Sequence, residues 1–285
     1  MKQSVFTVLL PDKNLRETFQ LLRELDYDGV EIRVKEDYHL SPSTISSYLD
    51  ELKGLQSEFG LQVPVLSTYL PVTDHRALFP VFRAAEALGV SGVRVSLGKP
   101  YSQNLSYWQL RDRAMREIES FISAVHPGSV KALFEIHFKT IIASPSLAYL
   151  LLQNFDPAQV GVIFDPGNMV IEGYEDPYMG TEIIKDYLAH VHIKNASWKS
   201  EAGQWVHQWE DLECGIAVLE DVIKALKRIG YEGYLSNENL KDVQLPGASG
   251  FIGETLSSAD IKTSIPIGEK LSRDKSYLDS LLLET

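Results

Sequence analysis

Leu88-Gly89-Val90-Ser91-Gly92-Val93-Arg94-Val95 holds a helix end, a turn and a strand start in one short stretch. A glycine directly after an apolar-periodic run can close a helix in the left-handed conformation. The Val-rich run behind it has the composition of a buried strand. The same grammar returns as LDYDGVEI (Leu25–Ile32) and as IGYEGYLS (Ile229–Ser236). Further runs of this kind place strands at Ser4–Leu9, Gly29–Arg33, Val63–Ser67, Gly92–Ser96, Ala132–Ile136, Val160–Phe164, His190–Lys194 and Tyr234–Asn237. Amphipathic stretches between them predict helices at Asn14–Leu25, Pro42–Phe59, Asp74–Leu88, Leu105–Val125, Ser146–Asn154, Gly180–Leu188 and Ala217–Ile229.

Eight buried-type strands alternating with helices make this an α/β chain and predict a closed (β/α)8 TIM barrel. An open doubly wound sheet normally carries a glycine-rich phosphate loop after its first strand. Here that strand runs into Leu10-Pro11-Asp12-Lys13-Asn14, which has no glycine. No linker divides the chain, so we expect one barrel domain over residues 1–285. Residues 241–285 are expected to form a long loop and a closing helix near Glu269–Leu283.

Composition narrows the function. The 285 residues carry 27 Lys+Arg against 39 Asp+Glu, a formal charge of −12, which disfavours a phosphate-backbone binder. The apolar runs, such as Leu147–Leu152, are too short for a membrane span. Met1–Pro11 lacks a small-residue cleavage site and reads as a strand, not a signal peptide. The single cysteine, Cys214, forbids an internal disulfide and fits a reducing cytoplasm, which is the expected location.

Barrel active sites gather at the C-terminal ends of the strands. Four consecutive strands there turn abruptly polar: Leu133-Phe134-Glu135-Ile136-His137, Ile163-Phe164-Asp165-Pro166-Gly167-Asn168, His190-Val191-His192-Ile193-Lys194-Asn195 and Leu235-Ser236-Asn237-Glu238-Asn239. Taken singly, a strand-end carboxylate is an ordinary helix cap or ion-pair partner, and a histidine is an ordinary core residue. Together, Glu135, Asp165, His192 and Glu238 place three carboxylates and an imidazole at one mouth. Such a set cannot stay charged in a half-buried place without a cation. One divalent ion resolves the repulsion, and an oxygen-rich set with one nitrogen suits Mn²⁺, Mg²⁺, Co²⁺ or Zn²⁺.

At these residues the chain resembles the xylose isomerase-like TIM-barrel superfamily, which holds the sugar-phosphate isomerases and epimerases and AP endonuclease family 2. The resemblance rests on FEIH (Phe134–His137), IFDPGN (Ile163–Asn168), HVHIKN (His190–Asn195) and GYEGYLSNEN (Gly230–Asn239), and spans roughly residues 1–240. It implies that Glu135, Asp165, His192 and Glu238 bind one divalent metal. It also implies that Glu135 and Glu238 are the catalytic pair, flanking the substrate carbon that exchanges a proton. The reaction implied is isomerisation or epimerisation of a sugar, sugar phosphate or keto-acid through a metal-stabilised enediolate.

Three departures bear on the substrate. Asn168 stands where many epimerases have a second histidine. Asn195 stands where the family usually has aspartate. Glu213–Val218 keeps only the second glycine, Gly215, of the family's Gly-x-Gly-x-x-Asp.

Further substrate-binding candidates are His137, Asn168, Lys194, Glu31, Arg94 and Lys99. His137 either meets a substrate hydroxyl or caps the next loop. Lys194 either faces a sugar hydroxyl or phosphate, or faces solvent. Glu31 and Arg94 either contact substrate or form an ion pair across the barrel top. Trp198, Trp205 and Trp209 fall in the loop after the seventh strand, suited to stacking on a sugar or to a subunit interface.

The leading expectation is therefore a divalent-metal-dependent sugar isomerase or epimerase with a small-molecule carbohydrate or keto-acid partner and no nucleic acid or membrane partner; the oligomeric state is open, with a homo-oligomer as one option. The alternatives are a metal-dependent lyase of the inosose or dehydroshikimate dehydratase type, and a non-catalytic sugar-binding member. A nuclease is disfavoured. It needs a three-metal cluster with extra histidines, and the third and fourth strand ends offer Ser67-Thr68-Tyr69 and Arg94-Val95-Ser96 instead.

Overall fold

The computed structural model describes residues 1–36, 38–97, 101, 104–244, 262–263 and 265–284. Eight parallel strands close into a barrel: β1 (Lys2–Phe6), β2 (Gly29–Arg33), β3 (Val65–Pro71), β4 (Gly92–Ser96), β5 (Lys131–Glu135), β6 (Val160–Phe164), β7 (Leu188–Ile193) and β10 (Tyr234–Asn237). Their order around the barrel is β1-β10-β7-β6-β5-β4-β3-β2. The ring shuts where Val5 of β1 pairs with Asn237 of β10 on one side and Val30 of β2 on the other. The outer helices are α1 (Leu15–Glu24), α2 (Leu49–Phe59), α3 (His75–Leu88), α4 (Tyr107–Val125), α5 (Pro145–Leu152), α6 (Pro166–Ile171), α7 (Pro177–Ile183), α8 (Leu219–Arg228) and α9 (Ile267–Glu284).

Local chemistry sets these boundaries. Asn14 and Glu17 form a reciprocal capping box on α1, and Ser106 and Gln109 form another on α4. The helices α2 and α3 end at Gly60 and Gly89, both left-handed at φ +66° and +71°. Thus the glycine in LGVSGVRV does stop a helix. Inside the barrel the lower layer is apolar. Val65, Leu133 and Ile163 pack together there. Leu133 fills the axis because its neighbours are glycines. A Cβ on Gly92 would lie 2.5 Å from Leu133 Cδ1, and one on Gly161 would lie 2.9 Å from Cδ2. Leu133→Ala would cost about 2–5 kcal/mol.

Several expectations shift. The first strand stops at Phe6, and Thr7–Leu9 turns into a 3-10 helix. The predicted helix Pro42–Phe59 is a 3-10 turn at Ile45–Tyr48 followed by α2. The expected loop after the seventh strand is an antiparallel hairpin, β8 (Asn195–Glu201) and β9 (Gln204–Glu210). Its tip, Ala202-Gly203, has φ +49° and +80°, the doubly positive pattern of a primed hairpin turn. Beyond β10, a short antiparallel pair joins β11 (Val243–Gln244) to β12 (Lys262–Thr263), and α9 follows; residues 245–261 of the expected loop lie outside the described residues. Among the described residues no helix is long and apolar enough to cross a membrane.

Candidate metal centre and its surroundings

Strand side chains two residues apart share a face. On β5 the inward Leu133 is followed by Glu135, and on β6 Ile163 is followed by Asp165 just past the strand. On β7 the series is His190, His192 and then Lys194, and Glu238 follows Ser236 at the end of β10. The apolar plug thus gives way, one layer up, to a polar ring. Glu135, Asp165, His192 and Glu238 each offer a ligand atom, and these atoms lie within 4.8 Å of one another.

His192 is the hub. Its Nδ1 lies 2.9 Å from Glu135 Oε1 and 3.2 Å from Glu238 Oε2. Its Nε2 lies 3.0 Å from Glu31 Oε1, and the ring stacks on Phe6 at 5.6 Å. Glu31 also accepts from His190 Nε2 at 2.9 Å and from Ser67 Oγ. Asp165 has a double duty. Its Oδ1 caps α6 by accepting from the backbone N–H of Asn168 at 2.9 Å. Its Oδ2 lies 2.8 Å from Lys194 Nζ. Lys194 also donates to Glu238 Oε2 at 2.7 Å, and Arg94 donates to Glu135.

Burial pushes every carboxylic acid here toward its neutral form, and neighbouring cations decide which ones resist. Arg94 and His192 overcome that push at Glu135, holding it well below the ordinary carboxylate range. Lys194 and His192 likewise lower Glu238 from its ordinary value. At Asp165 burial prevails over Lys194, and its carboxyl is pushed up to about 7. For His192, burial disfavours the charge, but Glu31 and Glu238 outweigh it and raise the imidazole well above its usual value.

The donor set fits a divalent ion. Three hard oxygens and one imidazole nitrogen converge on one spot, and hydrogen bonds orient the ligands from behind, as metal ligands usually are. A second histidine–carboxylate group, Glu31, His190 and His192, shares the same imidazole. Its members are in direct hydrogen-bond contact, so it supports the ring instead of offering a separate pocket.

The other expected residues fall as follows. Glu31 does not pair with Arg94. It is fully buried, with both oxygens engaged by His190, His192 and Ser67. Arg94 faces Glu135 instead, lying over the Tyr69 ring at 4.4 Å. The solvent-facing alternative for Lys194 is overturned. It is buried against Asp165 and Glu238, 5.1 Å from the Trp209 ring. Asn168, expected to donate to a sugar oxygen, directs its amide N–H groups to Asp165 Oδ2 at 2.6 Å and Ile136 O at 3.2 Å. Its Oδ1 is buried without a partner among the described residues. His137 places Nδ1 2.8 Å from Phe138 O within its own loop. Lys99 lies outside the described residues. Trp198 and Trp209 sit with His207 on one face of the hairpin, and Trp198 Nε1 donates to Val170 O, tying the hairpin to α6. Trp205 is exposed near the hairpin tip.

Residues that the sequence left without a role are His190, Ser67 and Tyr69. The alternation His190-Val191-His192-Ile193-Lys194 carried the signal for His190, because all three polar side chains must share the inner face. The partners from β3 had no comparable signal.

The sequence profile of the family described as "Xylose isomerase-like TIM barrel" matches residues 19–250, so the chain belongs to that family. No curated protein matches the chain. Solved structures share the fold at low identity. The IOLI protein with a binding zinc atom is 16% identical with a TM-score of 0.74, covering 100% of this chain and 99% of its own. The probable 3-DHS dehydratase AsbF from Bacillus anthracis is 16% identical at 0.72, covering 98% and 99%. D-Psicose 3-epimerase from Clostridium cellulolyticum H10, solved with D-tagatose, is 15% identical at 0.71, covering 99% of each chain.

Proposed function

We propose that this protein is a divalent-metal-dependent isomerase or epimerase acting on a small sugar, sugar phosphate or keto-acid. The observation that carries the reading is the convergence of Glu135, Asp165, His192 and Glu238 within 4.8 Å. These four residues would hold the ion. When bound, the ion would supply Lewis-acid polarisation of the substrate carbonyl and its neighbouring hydroxyl.

The chain's own residues do the rest. Glu135 and Glu238 approach His192 Nδ1 from two different strands, at 2.9 and 3.2 Å. Both are held as carboxylates, the form that removes a carbon-bound proton. One takes the proton and the other returns it to the enolised substrate. Asn168 fixes Asp165, and Glu31 fixes His192 at its Nε2. Trp209 lies beside Lys194, backed by Phe138. The same enolisation begins a dehydration, and the dehydratase among the similar folds keeps that outcome as a branch of this reading.

One observation favours a metal-free sugar-binding member instead: the Lys194 ammonium already bridges Asp165 and Glu238. The test is a screen of ketoses, ketose phosphates and keto-acids in D₂O with added Mn²⁺. Deuterium entering a carbon position, removed by Glu135→Gln, supports the enolising enzyme. Release of water in place of an isomer assigns the lyase branch. Binding without exchange assigns the non-catalytic member.

A further inference from the structure

Arg33 ends β2 on the same face as Glu31 and is fully buried. Among the described residues, none of its three guanidinium nitrogens has a hydrogen-bond partner. An arginine cannot shed its charge, so it is a buried cation whose donors go unused. Such a group is costly unless an anion meets it. Among the described residues, Arg94 is already engaged by Glu135 and Lys194 by Asp165 and Glu238.

What does surround Arg33 is aromatic. Its guanidinium carbon lies 4.6 Å from the Tyr38 ring centroid and 4.9 Å from that of Tyr69. Ring stacking engages the face of a guanidinium and leaves its N–H edge for a planar, two-oxygen acceptor. Tyr38 directs its hydroxyl hydrogen to Thr7 O at 2.8 Å. Tyr69 is shared with Arg94, so a single ring separates Arg33 from the cation that pairs with Glu135. Tyr38 also walls a cleft of about 310 Å³ between the loops after β1 and β2, together with Lys13, His39 and Tyr48. The Nδ1 of His39 is a second buried atom without a partner among the described residues.

We propose that Arg33 is the docking point for an anionic group of the substrate, a carboxylate or a phosphate monoester, gripped by the guanidinium edge, with Tyr38 as the movable wall. This rests on the enzymatic reading above and gives its substrate a charge. A small molecule anchored at Arg33 extends past Tyr69 toward Glu135.

The test uses the full chain and two probes, inorganic phosphate and glycolate, titrated by calorimetry into the wild type, Arg33→Gln and Arg33→Lys. Each variant is also titrated with Mn²⁺ and checked by circular dichroism. The expected result is saturable binding of at least one probe, weakened about ten- to a hundredfold in Arg33→Gln, with Mn²⁺ affinity unchanged. Phosphate alone assigns a phosphorylated substrate, and glycolate alone assigns a carboxylate. No saturable binding of either probe to the wild type overturns the proposal, as does equal binding by Arg33→Gln. Should Arg33→Gln not fold, Arg33→Lys decides, because it keeps the charge and loses the fork. Equal binding by that variant overturns the proposal. Failure of the wild type to bind Mn²⁺ counts against the enzymatic reading alone, so the two failures stay distinct.

Discussion

Glu31 Oε1 lies 3.0 Å from His192 Nε2. That contact decides which nitrogen faces the mouth. With Nε2–H committed to Glu31, Nδ1 is the atom turned toward Glu135 and Glu238. Carboxylates behind metal-binding histidines fix the tautomer and strengthen the ligand. We therefore predict that Glu31→Gln lowers divalent-metal affinity about 10–100-fold. Calorimetric titration with Mn²⁺ checks this. An unchanged affinity would make Glu31 a packing residue only.

Glu135→Gln and Glu238→Gln keep the shape of the site and remove its proton acceptors. Each should slow deuterium exchange of a turned-over substrate by about 10²–10⁴-fold, the usual weight of a positioned acid or base. Arg94 would lose its anionic partner in Glu135→Gln and Lys194 one of its two in Glu238→Gln, so a modest fall in melting temperature should accompany the kinetic loss. Variants that exchange deuterium at the wild-type rate would remove both glutamates from the chemistry.

One departure from the family pattern, Asn195, is locked against the family glycine that the chain keeps, Gly215. Asn195 is buried and donates to Leu212 O at 2.9 Å and Ala217 O at 2.8 Å, while its Oδ1 accepts from the backbone N–H of Ala217 at 3.0 Å. Gly215 lies against it, where a Cβ would come within 1.9 Å of that same oxygen. Aspartate at 195 would point a charge at two carbonyls and strand them. Asn195→Asp should destabilise the fold by about 3 kcal/mol or more. Gly215→Ala should cost about 1–3 kcal/mol through overpacking. Urea unfolding measures both, and neutral outcomes would break the link between hairpin base and loop.

Asp274 on α9 gives a pH dependence. Burial raises its carboxyl above the ordinary aspartate range, against the pull of Asn237, Lys270 and Asn239. Its folded pKa exceeds its unfolded one, so the native state binds the proton more tightly. The resulting stability is full below the unfolded value and is lost as pH rises through the folded value. Wild-type stability should thus fall, relative to Asp274→Asn, as pH climbs above the unfolded aspartate value. Isothermal urea unfolding across that range reads the difference. Parallel pH profiles would deny the effect.

The barrel and the four ligand candidates were legible because both depend on short-range pattern. Apolar runs with glycine stops mark strand and helix ends, and residues two apart on a strand share a face. Glu135 and His192 could be placed at one mouth from that alone. Partners across the barrel were not legible. Arg94 pairs with Glu135 instead of Glu31 because β4 lies beside β5, while Glu31 is taken by His190, His192 and Ser67 from other strands. The hairpin after β7 was hidden for a different reason. Its strands are half-exposed and rich in polar residues, so only the Ala202-Gly203 tip and the alternating tryptophans marked it. The Asn168 contact to Asp165 was not legible either, because it is set by the tight turn into α6.

The most direct measurement is an anomalous difference map from crystals grown with Mn²⁺. The account predicts a single peak ligated by Glu135, Asp165, His192 Nδ1 and Glu238, with Lys194 withdrawn from at least one carboxylate. A map without a peak there, with Lys194 still bridging Asp165 and Glu238 and Arg94 still on Glu135, would contradict it.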